Sequence, residues 1–190
     1  MAQRYVINVF AANRVGVLAA LATALAELGG NLVEVSQTVM QQFFTIIFAA
    51  DFPENRDPQV IVDHIRGVCR PFGAEVWLKD PLVEILQDPA PGAASYFLTL
   101  RGPDAPGVTR RVSARLAEER IDIVELHAAR QPDDAFEMVL ELAVPPAVDP
   151  TRLREQLAAM GAEMGLAVAL QQASEFAVAN GPRVGRASPG

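Results

Sequence analysis

Between residues 4 and 11 the chain alternates, with Tyr5, Ile7 and Val9 on one face and Val6, Asn8 and Phe10 on the other, a period of two that predicts a strand. After a turn containing Gly16 the period changes. Leu18, Leu21, Leu25 and Leu28 recur in steps of three, four and three, which predicts a helix over residues 15–28 with those leucines on one greasy face; Gly29-Gly30 ends it. Residues 31–41 and 42–52 read as a hairpin whose second arm sets Phe44, Ile46, Phe48 and Phe52 on one side. Asp57-Pro58 supplies an N-cap with proline in the first turn, and Ile61, Ile65, Val68 and Phe72 carry a second helix to Gly73. A strand over residues 74–79 completes the unit.

The order then repeats. Shifted by 91 residues, Tyr5 falls on Tyr96, Gly16 on Gly107, Leu25 on Leu116, Asn31 on Asp122 and Glu34 on Glu125. Beyond the middle the shift is 92, so that Asp57-Pro58 meets Asp149-Pro150 and Gly73 meets Gly165. The second unit therefore has strands at 96–102, 121–130, 135–144 and 166–171, and helices at 106–119 and 150–160. We expect domains over 1–80 and 95–172, joined by a linker, 81–94, that carries Pro81, Pro89, Pro91 and Gly92. Residues 83–86 read as a strand extension inside it. A tail over 173–190, rich in Gly and Pro near its end, is expected to be disordered. The order βαββαβ predicts an α+β, ferredoxin-like fold: a four-stranded antiparallel sheet with both helices on one face and the other face open. Open faces and exposed edge strands need covering, so pairing of units is expected.

Composition removes several function classes. Sixteen basic against 23 acidic side chains give a net charge of −7, which argues against direct nucleic-acid binding. A single cysteine, Cys69, rules out an internal disulfide framework and a thiolate zinc site, and a reducing cytoplasm is the expected compartment. The longest apolar run, residues 15–26, is too short to cross a bilayer, and the N-terminus lacks a secretory-signal pattern.

Catalytic chemistry is equally thin. His64 and His127 stand at unrelated positions of the two units, and His64 lies five residues from Cys69, off the i, i+4 spacing of a metal pair. No serine sits in Gly-x-Ser-x-Gly, no phosphate loop is present, and Glu34 and Glu125 read as surface or interface residues. No catalytic residue, metal or cofactor is called for. Arg110, Arg111, Arg115 and Arg120, interspersed with Glu118 and Glu119, read as a solvated face or a docking surface for an acidic partner.

The recurring chemistry is a turn. Asn13, Arg14, Val15, Gly16 and Val17 in the first unit match Asp104, Ala105, Pro106, Gly107 and Val108 in the second. Asn13 and Asp104 can act as N-caps. Free amides and the positive helix end also suit a carboxylate, and glycine lets it come close. An ammonium can be received by Asn13 or Asp104 together with the opening of the next strand, Asn31-Leu32 or Asp122-Ile123. The ligand expected is a small amino acid such as glycine or serine.

These turns, the helix after the first, the Gly30-Asn31 entry and the segment Val35-Ser-Gln-Thr-Val-Met-Gln41 resemble the ACT domain, a sensing module attached to many enzymes of amino-acid metabolism. The resemblance covers residues 4–172, and as a tandem pair the chain most resembles the group that includes the glycine cleavage system transcriptional repressor. It implies amino-acid ligands held at interfaces between ACT units, a homodimer of the tandem chain, and regulation, including transcription regulation, through a protein partner. The first turn departs from the family's Asp-Arg-Pro-Gly: the neutral Asn13 removes a charge that would draw an ammonium. The alternatives are a ligand-free assembly module and a regulatory subunit of an amino-acid biosynthetic enzyme.

Overall fold

The alternating and helical segments fold in the order their spacing dictates. In the first unit these are β1 (Gln3–Ala12), α1 (Val17–Glu27), β2 (Asn31–Met40), β3 (Phe43–Phe52), α2 (Pro58–Val68) and β4 (Glu75–Lys79). The second has β5 (Ala94–Pro103), α3 (Val108–Glu118), β6 (Asp122–Arg130), β7 (Ala135–Val144), α4 (Pro150–Glu163), β8 (Ala167–Gln172) and α5 (Ala173–Asn180). This computed structural model describes residues 2–52, 56–83, 91–132 and 135–180. The chain divides into two units, residues 1–87 and 88–190.

Each unit is one antiparallel sheet, ordered β2-β3-β1-β4 in the first and β6-β7-β5-β8 in the second. Tyr5, Ile7 and Val9 of β1 meet Phe44, Ile46, Phe48 and Phe52 of β3 under Leu21, Leu25, Ile61 and Ile65 from the two helices, which makes the first core. The second is built alike from Leu98, Leu100, Val112, Leu116, Leu140, Leu142, Leu153 and Leu157. Burying a side chain of this size stabilises by about 1.5–3 kcal/mol.

Helix starts come in two kinds. Asp57 and Asp149 cap α2 and α4 by accepting from the amides of Gln59 and Thr151 at 2.8 and 2.9 Å, with proline at the first helical position. α1 and α3 begin instead at Gly16 and Gly107, with φ of 99° and 90°, and neither has a side-chain cap or an acidic residue in its first turn. The capping role expected of Asn13 and Asp104 is therefore corrected. Only glycine holds such a φ without strain, so the chain turns into the helix through backbone freedom.

Other differences have local causes. α2 stops at Val68 and tightens into a 3-10 turn, Arg70–Phe72, because Pro71 cannot continue an α-helical ladder. The buried stripe of α1 is Val17, Leu21, Ala24 and Leu25, and Leu18 is half exposed. Residues 80–83 form a turn closed by the Asp80 carboxylate on the Leu82 amide at 2.9 Å, so Val83 starts no strand; residues 84–86 lie outside the described residues. The tail after Gln172 is helical over Ala173–Asn180, since Phe176 buries against Phe97 with ring centroids 4.2 Å apart. The rest of the expected disordered tail, residues 181–190, lies outside the described residues. No helix among the described residues is long and apolar enough to cross a membrane.

Candidate functional site

The edge strands carry the site. β2 is exposed along its whole length, because α1 and α2 cover β1, β3 and β4 and leave β2 overhanging. Its register with β3 shifts between Leu32 and Glu34, leaving Val33 as an extra residue. Such a bulge inverts the alternation. Leu32 therefore pairs with Ala50, and Val35 and Gln37 with Phe48 and Ile46, all on the helix-facing side. The same shift recurs between Ile123 and Glu125 in β6.

An apolar groove of about 460 Å³ runs between α1 and β2 in the first unit. Leu21 and Ile46 lie buried at its floor, Leu18, Leu32 and Val35 stand half exposed on its walls, and Gln37 is the single polar residue lining it. β1 and β2 are both antiparallel to β3, hence parallel to each other, and α1 must run back between them. Gln37 therefore lies toward the Leu18 end, beside the Gly16 turn, and Leu32 toward the far end with Leu25. The volume falls within the usual range of small-molecule sites.

The same topology separates residues that the sequence reading grouped. Ala12 pairs at Phe43 and Asn31 at Asp51, so at about 3.4 Å per residue the Asn13–Val17 turn and the Asn31-Leu32 entry stand roughly 27 Å apart along the sheet. Asp104 and Asp122 are divided alike, by the span from Ala135 to Ala143 on β7. No single unit brings both ends of an amino acid to these residues. Within each turn the roles differ. The Asn13 amide donates to the Gln42 carbonyl at 2.8 Å, the Arg14 carbonyl accepts from the Val17 amide at 3.2 Å, and Val15 is fully exposed. Asp104 is ion-paired with Arg130 at 2.8 Å, Pro106 is exposed, and Val17 and Val108 are buried core residues. Ala105 and Ile123 pack against the second core.

Groups capable of chemistry elsewhere are occupied. His64 Nε2 meets the Glu27 carboxylate at 2.8 Å and His127 Nε2 that of Glu125 at 2.9 Å. Cys69 is fully buried, and burial raises its thiol pKa away from the reactive thiolate. Among the described residues no three His, Cys, Asp or Glu side chains gather where they could hold a metal. Arg111 pairs with Glu163 at 2.6 Å, and Arg115 with Glu118 and Glu119 at 3.1 and 2.6 Å, so much of the basic charge on α3 is answered in place.

Set beside known proteins, this arrangement is familiar. The ACT domain family matches residues 5–69 and again residues 96–171. The chain belongs to the ACT domain family. Among its relatives, the UPF0237 protein of Methanosarcina mazei is 36% identical over 74 residues, which cover 38% of this chain and 80% of that protein. The UPF0237 protein of Methanosarcina acetivorans matches at the same identity and coverage. An unknown protein from Galdieria sulphuraria superposes with a TM-score of 0.78 at 21% identity, over 90% of this chain and 99% of that one. A candidate glycine cleavage system transcriptional repressor does so with a TM-score of 0.63 at 15% identity, with the same coverage. Both likenesses are of the tandem ACT fold.

The groove escaped the sequence reading, which had only Leu32 of its lining among the site residues. Two signals pointed to it: Leu18 stands one residue off the buried stripe, and the bulge at Val33 puts Leu32 and Val35 on one face. Neither is visible without the register.

Proposed function

We propose that this ACT protein is a non-catalytic regulator that binds an amino acid with an apolar side chain at a junction of ACT units and passes the change to a protein partner. The apolar groove opening beside the uncapped start of α1 carries this reading. An α-carboxylate suits the bare amides and positive dipole of the first turn, worth about 0.3–1 kcal/mol at such a terminus. The side chain then follows Leu18 into the groove, where apolar contact favours Leu, Ile, Val, Met or Phe over glycine or serine. Because the turn and the Asn31 entry are far apart in one unit, the ammonium is met by the β2 or β6 opening of a second unit running the opposite way. That geometry makes binding and pairing of units one event, and a ligand shifts an assembly only by such preference for one arrangement.

Thermal denaturation of the whole chain against each of the twenty amino acids tests this. A ligand at a hundred times its Kd stabilises by about 2.7 kcal/mol. The apolar amino acids should raise the midpoint, and Leu18→Glu, on an exposed wall, should abolish the rise while leaving the ligand-free midpoint nearly unchanged. A chain that responds to none of the twenty is a ligand-free assembly module, and response to glycine or serine alone removes the groove from the site.

A further inference from the structure

The helix layers of the two units are spaced differently, and side-chain size on one helix accounts for it. α1 carries Ala19, Ala20 and Ala24 where α3, across the repeat, carries Arg110, Arg111 and Arg115. Alanine lets two helices close up, and the Cα atoms of α1 and α2 come within 8 Å of each other. Those of α3 and α4 scarcely do. Arg111 and Arg115 stand between them as struts: Arg111 reaches Glu163 of α4 at 2.6 Å, and Arg115 donates to Gln156 of α4 at 2.5 Å and to Glu119 of its own helix at 2.6 Å. Beside the struts the layer opens into a groove of about 470 Å³ whose apolar lining is Ala114, Ala159 and Met160. Arg110 also lines it, exposed and without an acidic partner among the described residues.

We propose that this groove is the docking site for an acidic helical segment of the protein partner. Charge selects the sign. The chain carries −7 overall, yet residues 108–120 hold four arginines against Glu118 and Glu119, so an acidic segment is repelled by most of the surface and drawn to this part of it. Arg115 is occupied by Glu118, Glu119 and Gln156, and Arg111 by Glu163, which leaves Arg110 to answer a carboxylate from outside. Shape selects a helix. From Arg110 to Glu118 α3 rises about 12 Å, roughly two turns. The groove lies open to solvent, so it does not enclose a small molecule, whose sites bury most of the ligand. A helix laid there buries one face and leaves the other wet, and Ala114 and Ala159 let its backbone come near. Glu118 at one end repels like charge, so the partner's carboxylates gather at the Arg110 end. Glu118 and Glu163 also turn away a continuous polyanion such as a nucleic-acid backbone. The proposal rests on the reading above only for the existence of a protein partner; it requires neither the amino acid nor the groove beside α1.

A random peptide library displayed on phage, each insert long enough for several helical turns, is panned on the intact chain and supplies the probe. Recovered peptides should carry Asp or Glu at helical spacing beside an apolar residue, and the tightest of them, synthesised with a fluorescent label, should bind with an affinity that falls as salt rises. Arg110→Glu should weaken that binding about tenfold or more. Ala159→Phe, which fills the groove without touching its charge, should do the same, and Arg70→Glu, the same charge change on an exposed arginine of the first unit, should leave the affinity nearly unchanged. Arg110 and Ala159 are both exposed, and matching circular dichroism and urea midpoints exclude unfolding; if one variant does not fold, the other decides. A thermal screen in which no amino acid responds leaves these results standing, and a failed panning leaves the groove beside α1 standing, so the two readings fail separately. Peptides without acidic enrichment, an affinity lowered equally by Arg70→Glu and Arg110→Glu, an affinity that survives in folded Ala159→Phe, or a labelled DNA duplex that binds in the peptide's stead each overturns the proposal.

Discussion

The two units share one topology and differ in what they show to solvent. Where α1 presents Leu18 and Ala22 to its groove, α3 has Thr109 and Ser113 at the matching places, and the position of Gln37 in β2 is taken by Ala128 in β6. Where β1 and β4 turn a half-buried Phe10 and an exposed Trp77 outward, β5 and β8 carry Arg101 and Ala169. The buried halves stay alike: Leu21 answers Val112, Leu25 answers Leu116, and Phe48 answers Leu140. Packing constrains the inward face of each repeat, so divergence falls on the outward one. Function is accordingly assigned from the surfaces, since the shared fold says little about it.

The comparison breaks most visibly in the cores. Phe48→Ala removes a side chain that is 2% exposed at the centre of the first core and should cost about 3–5 kcal/mol. Urea unfolding followed by Trp77 emission should move to lower denaturant, while the part of the far-ultraviolet circular dichroism that belongs to the second unit stays in place. A single concerted shift of both signals would show that the two cores do not stand alone.

A smaller effect is expected where the repeats diverge inside. Gly161 occupies the place of Cys69, and a Cβ there would press on Val168 and the Leu166 carbonyl, because α4 runs unbroken past the point where α2 ends. Installing the first unit's residue, Gly161→Cys, should lower the stability of the second unit by about 1–3 kcal/mol through overpacking, against roughly 0.5–1 kcal/mol gained in helix propensity. The Trp77 transition should not move. An unchanged second transition would mean that the α4–β8 contact yields more easily than its geometry implies.

The smallest effect sharpens the comparison at the rim. Arg4 donates to Asp51 at 2.7 and 2.9 Å, and these hydrogen bonds hold the Asp51 carboxyl below its ordinary pKa. A depressed folded pKa gives stability that is present above the unfolded value, about 3.9, and is lost as pH falls through the folded one. The pair is exposed, so the contribution is slight. Asp51→Asn should lower the first unit's urea midpoint slightly near neutrality, leave it unchanged in acid, and so flatten the acid limb; an acid limb as steep as before would assign it to other carboxylates.

Much of the fold was legible because alternation, helical spacing and the Asp-Pro caps are local signals. The duplication supplied the rest, since each ambiguous segment had a second version to compare. What stayed hidden depends on partners distant in the chain. Leu18 lies within reach of the apolar stripe of α1, and only the position of the sheet decides that Val17 goes inward instead. The bulge at Val33 is set by pairing with β3, and it alone brings Leu32 and Val35 to one side. Asn13 and Asn31 read as neighbours because both flank α1, yet they flank opposite ends of it. Phe176 gave no periodic signal in eight residues, and its ring stack with Phe97 forms only once β5 is in place.

The bare starts of α1 and α3 have a practical consequence. With neither a side-chain cap nor a carboxylate in the first turn, their amides and positive dipole are of the kind that suits an anion. On the proposed function, sulfate or phosphate in a buffer would compete with the ligand's carboxylate for the same amides, and an affinity measured in those salts would read weaker than one measured among bulky organic ions.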